Sequence, residues 1–324
     1  MERSIEKRAV TMQDVAKHVG CTPMTVSRVL NGTGRISSAT RDAVQKAMDE
    51  LGYRPHLAPK MMREGRSRQV GVLLENRPQR RFTHPLTWEF ILGINEGLED
   101  GGHIMSMVRV SEVEEGANWN ETALQSRLLD GLIVVNYLPV STQERLLGAN
   151  VPCVWMDANV WSERGCLRRD EAGAARLALQ KIAESGFEQT LVFATPSGDD
   201  GAHYSVVERN RGLEIAARDF GVKLEKRFVE WPTRDTTFQD AVAFSCQKIL
   251  RETDEQTPLI VRDTYLAQAL LIEAAQSKKS VGRDVAMICL DDHFHEESYH
   301  WQSISRVSFD RFLMGKRAAQ MLLE

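Results

Sequence analysis

The sequence predicts a small all-α head followed by a larger α/β body that is divided into two lobes. The chain has 324 residues, which is long for one hydrophobic core, because single cores stop growing near ~250–300 residues. Apolar residues recur at helical spacing through the N-terminal part of the chain. From residue 70 onward, short apolar runs alternate with amphipathic stretches, a pattern typical of strand–helix repeats.

The composition indicates an ordinary globular protein. The chain is 42% hydrophobic and 27% charged, which argues against a disordered or fibrous chain. It contains no run of ~18–20 apolar residues, as a membrane span needs, and its first residues lead into no apolar segment typical of a secretory signal. The five cysteines are scattered without a Cys-x-x-Cys pair. We therefore expect reduced thiols, a cytoplasmic location and no membrane partner.

The charge is distributed unevenly. Residues 1–66 carry twelve basic and seven acidic side chains, a net charge of +5, whereas the whole chain has −4 and the remainder therefore −9. A basic head on an acidic body indicates a polyanionic partner at one end. A solvated basic surface without a partner is the alternative.

The head contains three predicted helices. Thr11 suits an N-cap, Thr22 caps a second helix with Pro23 at its first position, and turns at Gly32 and Gly52 end the second and third helices. The positions expected to face inward are Met12, Val15, Ala16 and Val19, then Val26, Val29 and Leu30, then Ala43, Val44, Ala47 and Leu51. A helix, a tight turn, a second helix and a supporting helix form the helix-turn-helix plan.

The second helix has a face that turns away from its apolar stripe. This face carries Met24, Thr25, Ser27 and Arg28, and in a major groove such side chains reach base edges. The fork of Arg28 matches the two acceptors of guanine, although a phosphate contact or a surface salt bridge is the alternative. Thr25 and Ser27 suit phosphates or backbone better than bases.

Three stretches of the head closely resemble the headpiece of the lactose-repressor (LacI) family. They are residues 11–20 (TMQDVAKHVG), 22–32 (TPMTVSRVLNG) and 47–55 (AMDELGYRP), and the resemblance extends along nearly the whole chain. It implies a homodimeric transcription factor whose two heads bind a near-palindromic operator in double-stranded DNA. The expected DNA contacts in the head are Thr11, Thr22, Met24, Thr25, Ser27, Arg28 and Asn31.

In that family a short hinge helix follows the head and drives an apolar side chain between base pairs of the minor groove. The matching stretch is residues 56–63, where the wedge position falls on Met62, and Lys60 is a further expected DNA contact. Methionine is flexible and apolar, as a wedge requires. Pro59 departs from the family's usual Ala, but in a first helical turn its missing N–H costs no hydrogen bond. Ordinary linker packing of Met61 and Met62 is the alternative.

The body shows two series of alternating elements. The first has strands at 70–74, 104–108, 131–135 and 153–156, with helices near 87–100, 120–129 and 142–149. The second has helices at 171–185, 205–220, 237–252 and 264–277, with strands at 190–194, 227–230, 258–261 and 285–290. Such series predict parallel sheets with right-handed crossovers and a cleft at the strand C-termini. The resemblance implies the same architecture, a bilobal periplasmic-binding-protein-like effector domain.

Family landmarks recur in order along the body, at residues 130–135, 151–157, 169–174, 208–212, 262–263 and 289–291. In relatives they surround a cleft that binds a small effector, most often a sugar or a nucleobase. The resemblance implies effector contacts at Asp157, Arg209, Asp263 and Asp291. Carboxylates accept from vicinal hydroxyls and a guanidinium donates two bonds in one plane, which suits a sugar. The alternative interpretation, which needs no family resemblance, is that each of these side chains is a surface charge or a helix cap.

The departures from the family gather around this pocket. Arg169-Asp170 replaces an Asp-Asn pair, Cys289 replaces a Gly, and Leu86-Thr87 stands where an aromatic pair is expected, with Trp88 one place later. The identity of the effector is therefore not transferable from a relative. Trp88 offers a ring for a sugar face, with a core or rim position as the alternative.

An enzyme is the main competing class. Residues 291–297 concentrate Asp, His and Glu, but their spacing fits no tetrahedral or facial metal site, and a solvated loop explains them more simply. The chain has no Gly-x-Ser-x-Gly elbow, Walker loop or dinucleotide fingerprint. We therefore expect no catalytic residues, no cofactor and no metal. The alternative is a bilobal small-molecule-binding protein or enzyme with a fused DNA-binding head.

The predicted domains are a headpiece at 1–55, a hinge and linker at 56–68, and an effector-binding and dimerisation body at 69–324. Within the body, residues 69–165 with 304–324 form the first predicted lobe, and 166–300 form the second. The predicted function is that of a ligand-responsive transcriptional regulator, a repressor whose effector either releases or promotes DNA binding. Family members continue with a further strand after the position of Glu324, and a second lobe without that strand is expected to expose a sheet edge.

Overall fold

The computed structural model describes residues 10–54, 65–76, 86–111, 128–135, 138, 140–148, 151–162, 164–196, 203–254, 256–291 and 304–324. The chain divides into two compact units, Met1–Ser67 and Arg68–Glu324. The first holds the head and the second holds the two-lobed body.

The head consists of three helices, α1 (Met12–Val19), α2 (Pro23–Asn31) and α3 (Ser38–Leu51). Each begins at a Thr or Ser whose side chain accepts a backbone N–H, and each ends at a glycine in the left-handed conformation. Its core is formed by Val15, Ala16, Val26, Val44, Ala47, Met48 and Tyr53.

One position of the predicted core is wrong. Ala43 is exposed, and Met48 takes its place inside. Val44, Ala47 and Met48 lie three and four residues apart and share the buried side of α3. Ala43 directly precedes Val44, and the rotation of the helix turns its side chain away from that side.

The first lobe of the body is built on a five-stranded parallel sheet. Its strands lie in the order β2-β1-β3-β4-β5, with β1 (Gln69–Asn76), β2 (Ile104–Ser111), β3 (Gly131–Val135), β4 (Cys153–Met156) and β5 (Cys166–Leu167). Helices α4 (Leu86–Asp100) and α10 (Arg311–Leu323) supply the core on one face, and α5 (Val140–Gly148) contributes to the other. The central strand β3 is buried along its whole length, as expected for a parallel sheet covered on both faces.

The second lobe repeats this plan. Its parallel sheet has the order β10-β9-β8-β6-β7, with β6 (Gln189–Ala194), β7 (Lys223–Phe228), β8 (Leu259–Val261), β9 (Met287–Cys289) and β10 (Ser305–Arg306). Helices α6 (Glu171–Glu184) and α7 (Tyr204–Phe220) pack on one face, and α8 (Phe238–Glu252) and α9 (Thr264–Gln276) pack on the other. The predicted fold class is confirmed.

The sheets differ from the sequence-based limits in a few places. β7 begins at Lys223, although the sequence placed this strand at 227–230. It is an edge strand that alternates exposed and half-buried residues, and such edges carry charged side chains that mask the apolar pattern. β5 begins one residue past the predicted end of the first lobe at 165, and β10 joins the second sheet rather than the first.

No helix among the described residues is both long and apolar enough to cross a membrane.

Candidate nucleic-acid interface and ligand cleft

The exposed face of α2 carries two long side chains. Met24 is 62% exposed, although it is large and apolar, and Arg28 is exposed one helical turn further on. Residues four apart lie on the same side of a helix. The structure therefore places both predicted DNA contacts on one surface of the head.

The smaller polar residues of this helix are engaged within the head. The hydroxyl of Thr22 accepts the backbone N–H of Thr25 at 3.2 Å, and the two hydroxyls lie 3.0 Å apart. Asn31 donates to the carbonyl oxygen of Ser27 at 2.7 Å and to its hydroxyl at 3.3 Å. Three of these four predicted DNA contacts thus also stabilise the ends of the helix, and the fourth, Ser27, anchors Asn31.

Thr11 has a similar structural role in α1. It forms a capping box with Asp14, in which the Thr11 hydroxyl accepts the Asp14 N–H at 3.3 Å and donates to the Asp14 carboxylate at 2.6 Å. A capping box satisfies two backbone donors that a helix leaves open. The hinge positions Lys60 and Met62, together with Pro59, lie outside the described residues and stay predictions.

In the body, four of the five predicted effector residues lie near the carboxyl ends of strands. Asp157 follows β4 directly, Asp263 and Asp291 follow β8 and β9, Arg209 lies in α7, and Trp88 lies in the first turn of α4. In open α/β sheets this is the edge at which ligands bind.

Asp157 is the centre of a polar cluster that joins the two lobes. Its carboxylate accepts a 2.5 Å hydrogen bond from the Tyr204 hydroxyl and a 3.1 Å bond from Nε of Arg169. Its backbone adopts a φ of 53°, which is uncommon for a residue other than glycine but most accessible to Asp and Asn. Tyr204 begins α7 of the second lobe, whereas Asp157 directly follows β4 of the first.

The electrostatics of this cluster favour the charged form of Asp157. Burial alone raises the pKa of a carboxyl, but Arg169, His203 and the hydrogen bond from Tyr204 outweigh it, and the pKa of Asp157 lies below its usual value. Burial and the neighbouring Asp157 raise the pKa of Tyr204, so its phenol stays protonated and donates.

His203 completes the contact through the backbone. Its Nε2 lies 2.8 Å from the carbonyl oxygen of Asp157, and its Nδ1 lies 2.8 Å from the Ser205 hydroxyl. Because a carbonyl oxygen only accepts, Nε2 carries a proton and donates to the Asp157 carbonyl.

A chain of ion pairs leads from Asp157 to Arg209. Nη1 of Arg169 lies 3.2 Å from Oε1 of Glu171, and Nε of Arg209 donates to Oε2 of Glu171 at 2.7 Å. Glu171 is fully buried, and Arg209 is nearly so. Burial disfavours the charge on Arg169, but Asp157 and Glu171 outweigh it and raise its pKa. Two buried carboxylates are therefore balanced by two guanidinium groups.

The other predicted acids lie next to this chain. Asp263 caps α9, because its carboxylate accepts the Leu266 N–H at 3.0 Å. Arg262, which directly precedes Asp263 in the sequence, accepts a 3.3 Å hydrogen bond at its carbonyl oxygen from Nη1 of Arg209. Burial and the charge of Arg209 lower the pKa of Arg262. The carboxylate of Asp263 acts in the other direction, but it does not outweigh them.

Asp291 makes a separate buried ion pair. Its Oδ1 accepts from Nη2 of Arg311 at 2.8 Å, which links the end of β9 to the start of α10 in the other lobe. Burial raises the pKa of the Cys289 thiol, and the charges of Asp291 and Asp263 raise it further. The thiol thus stays protonated.

Trp88 is 59% exposed, and no described contact joins it to the polar cluster. A different set of aromatic rings lies near Asp263. Phe238 stands between Trp231 and Tyr265, with ring centroids 6.2 Å and 5.4 Å away. All three rings are partly exposed. Together they form an aromatic surface cluster that was not predicted from the sequence.

A cavity of about 210 Å³ lies elsewhere, at the amino end of the second sheet. It is lined by residues that include Gln189, Lys223, Glu225 and Asp254. None of the predicted effector residues lines it, and it lies at the opposite end of β6 from the strand ends at which such sheets bind ligands.

The fold and these residues define a class of protein, in which a helix-turn-helix head is joined to a two-lobed α/β body. A family profile described as "Bacterial regulatory proteins, lacI family" matches residues 11–56, and one described as "Periplasmic binding protein-like domain" matches residues 179–324. Together the two profiles span more than half of the chain. The chain belongs to the LacI family of DNA-binding transcriptional regulators.

Curated relatives extend over the whole length. The chain is 27% identical to the HTH-type transcriptional regulator CelR of Thermobifida fusca, over 100% of this chain and 93% of the relative. It is 24% identical to the lactose operon repressor of Escherichia coli (strain K12), over 98% of this chain and 85% of the relative.

Solved structures share the fold. The lac repressor dimer bound to operator and the anti-inducer ONPF matches with a TM-score of 0.73 and 21% identity, over 98% of this chain and 92% of that one. The complex of the transcriptional regulator CelR with cellobiose matches with a TM-score of 0.61 and 22% identity, over 97% and 92% of the two chains.

Proposed function

We propose that this protein is a repressor that binds a near-palindromic operator as a homodimer and changes its operator affinity when a small effector enters the cleft of the body. The observation that carries the proposal is the family match of the head, combined with the exposed face of α2 that presents Met24 and Arg28. Relatives named as operon repressors, and one solved as a dimer on operator, support this reading.

The experiment that tests DNA recognition is a selection from random duplexes with the purified full-length protein. The salt concentration is held at about 150 mM, because contacts to DNA phosphates make the affinity for DNA steeply salt-dependent. Enrichment of an inverted repeat is the expected result, since two symmetric heads read two half-sites. Binding without any enriched sequence would contradict a sequence-specific regulator.

We propose a sugar-like effector for the cleft. The relatives include a CelR complex with cellobiose and a family member with bound glucose, and the partly exposed rings of Trp231, Phe238 and Tyr265 offer the flat apolar surface on which sugar rings stack. The predicted effector residues Asp157, Arg209, Asp263, Asp291 and Trp88 are the side chains to test.

The polar cluster supplies a mechanism for the response. Asp157 of the first lobe binds Tyr204 and Arg169 of the second, and Glu171 links Arg169 to Arg209. A polar ligand that replaces one of these contacts changes how the lobes are held together. A ligand that binds one arrangement more tightly shifts the population toward it. Coupling of ~1–3 kcal/mol changes operator affinity about 5–150-fold.

A panel of neutral sugars and nucleosides tests the effector, with thermal unfolding of the full-length protein as the first readout. A binding ligand is expected to raise Tm and to change the affinity for the selected operator. We propose no catalytic role, cofactor or metal, and a place in the bacterial cytoplasm, where operators are found. Turnover of a sugar that binds would instead favour an enzyme with a fused DNA-binding head.

A further inference from the structure

We propose that Asp157, Glu171 and the ring of Phe309 form a subsite for a positively charged group in the cleft of the body. The guanidinium of Arg169 fills this subsite as an internal ligand, and an effector that replaces it carries an ammonium or guanidinium group, as an amino sugar does. The inference rests on the proposed function, because it takes the cleft as the effector site, and it goes further in naming the charge of the effector.

The first step is the surroundings of the Arg169 guanidinium. Its Nε donates to Oδ1 of Asp157 at 3.1 Å, and its Nη1 lies 3.2 Å from Oε1 of Glu171. Its Cζ lies 5.2 Å from the centroid of the Phe309 ring. An aromatic face within about 6 Å attracts a cation, most strongly where water is excluded, and only 10% of the Arg169 side chain is exposed. Two carboxylates and one ring thus surround a single positive charge.

The second step is the place of Arg169 in the chain. It lies between β5 of the first sheet and α6 of the second lobe, in a segment that crosses from one lobe to the other. Phe309 lies in another crossing segment, between β10 of the second sheet and α10 of the first lobe. Residues between elements absorb the torsion changes of domain motion. The Arg169 side chain can therefore leave the subsite without the loss of hydrogen bonds within a sheet or helix.

The third step is an incompletely satisfied oxygen. The Glu171 side chain is fully buried, yet among the described residues its Oε1 accepts no hydrogen bond. Nη1 of Arg169 comes within 3.2 Å of this oxygen but lacks the alignment of a hydrogen-bond donor. A buried acceptor without a donor is unfavourable. An ammonium group has three donors that rotate freely, so it can satisfy this oxygen where the fixed fork of Arg169 does not.

The fourth step is the charge balance, which favours a cation over a neutral ligand. When Arg169 withdraws, the pair of Glu171 with Arg209 is what remains of the described ion pairs of Asp157 and Glu171. Two buried carboxylates then share one guanidinium. A buried charge without compensation is strongly unfavourable, and a hydroxyl donates a hydrogen bond without supplying charge. The group that replaces Arg169 is therefore positively charged.

The experiment empties the subsite in the full-length protein with Arg169→Ala and uses methylguanidinium, which reproduces the end of the arginine side chain, as the probe. At a concentration about ten times its Kd, methylguanidinium should raise the Tm of this variant by about 3 °C. The neutral methylurea should not, and neither compound should stabilise the wild type, whose subsite is filled by Arg169. Equal effects of the two compounds on Arg169→Ala would overturn the subsite.

Two double variants test which carboxylates form the subsite. Asp157→Asn or Glu171→Gln, each combined with Arg169→Ala, removes one negative charge and keeps the shape of the side chain. We expect each double variant to lose the stabilisation by methylguanidinium. Stabilisation that persists in both would place the bound cation elsewhere in the protein and refute the assignment.

Arg176→Ala is the matched control, because Arg176 has the same kinds of partner at the surface. Its Nη1 lies 2.8 Å from Oδ2 of Asp219, and its Cζ lies 4.8 Å from the centroid of the Phe220 ring. The Arg176 and Asp219 side chains are 54% and 49% exposed, so water replaces the lost guanidinium. Methylguanidinium should leave the Tm of Arg176→Ala unchanged, and equal stabilisation of both alanine variants would show a nonspecific effect.

A folding measurement covers the case in which Arg169→Ala is unfolded, since breaking a buried ion pair is strongly destabilising. The variant is then refolded from urea with either methylguanidinium or methylurea. More folded protein with methylguanidinium is the expected result. The same yield with both compounds would overturn the proposal.

The charge of the effector is tested with glucosamine in its ammonium form against glucose, which has a hydroxyl at that position. Glucosamine should stabilise Arg169→Ala more than glucose does. An equal or larger effect of glucose would overturn a cationic effector and leave the proposed function intact, because a neutral sugar can still regulate operator binding. Failure to select any inverted repeat would instead count against the proposed function itself, so the two failures are distinguishable.

Discussion

Tyr204 of the second lobe donates a 2.5 Å hydrogen bond to the carboxylate of Asp157 in the first lobe, across 47 residues of sequence. The same phenol oxygen accepts the backbone N–H of Arg169 at 3.0 Å. One hydroxyl thus connects the end of β4, the segment after β5 and the start of α7. A ligand that moves one lobe relative to the other therefore acts on this contact.

Removal of this hydroxyl should destabilise the body. In Tyr204→Phe the buried carboxylate of Asp157 loses one donor, and a hydrogen bond to a charged group contributes about 1.5–3 kcal/mol. We expect a loss of that size in the unfolding free energy, measured by urea denaturation of the full-length protein. Tyr265→Phe is the matched control, because Tyr265 is 42% exposed and forms no hydrogen bond among the described residues. Equal stability of the two variants would exclude a structural role for the Tyr204 hydroxyl.

The low pKa of Asp157 predicts a pH dependence of stability. A carboxyl whose pKa is lower in the folded state contributes stability above its unfolded pKa, about 3.9, and loses that contribution as the pH falls through the folded value. Asp157→Asn isolates the charge, since Asn also tolerates a positive φ. The wild-type advantage over Asp157→Asn should be constant between about pH 5 and 7 and narrow below about pH 4. An advantage that does not change down to pH 3 would contradict a charged Asp157.

The sequence predicted the central strands and the helix caps because their causes are local. β3 and β4 are short apolar runs with the predicted limits, 131–135 and 153–156, and Thr11 and Thr22 cap the helices that follow them. Short edge strands were missed. β5 and β10 contain two residues each, too few for an alternation of polar and apolar residues to be visible.

The polar cluster was only partly predictable, for a physical reason. Family landmarks marked Asp157 and Arg209, and the departure at Arg169 was visible in the sequence. Tyr204 and His203 carried no signal, since they meet Asp157 only after the two lobes are assembled. The sequence therefore pointed to Asp157 and Arg209, but not to the residues with which they pair.

The packing of the last helix on the first lobe depends on two glycines. A Cβ on Gly93 would collide with the carbonyl oxygen of Phe312, and one on Gly315 would collide with that of Phe90. Gly93→Ala should therefore separate α4 from α10 and lower the unfolding free energy by about 1–3 kcal/mol or more, the usual cost of overpacking. The control is Gly148→Ala at the end of α5, where a Cβ meets no atom within 4 Å. A Gly93→Ala variant as stable as Gly148→Ala would show that the two helices adapt.

The ion pair of Arg209 and Glu171 couples stability to the ligand response. Arg209→Ala leaves a fully buried carboxylate without its 2.7 Å partner, and breaking a buried pair costs about 3–5 kcal/mol. The double variant Arg209→Ala/Glu171→Ala removes both charges, so it should be less destabilised than Arg209→Ala alone, as a double-mutant cycle in urea unfolding measures. The double variant should keep operator binding through the intact head and lose the change in affinity that the identified effector causes. A double variant with an unchanged effector response would place the ligand away from Arg209, and strictly additive effects on stability would contradict the ion pair.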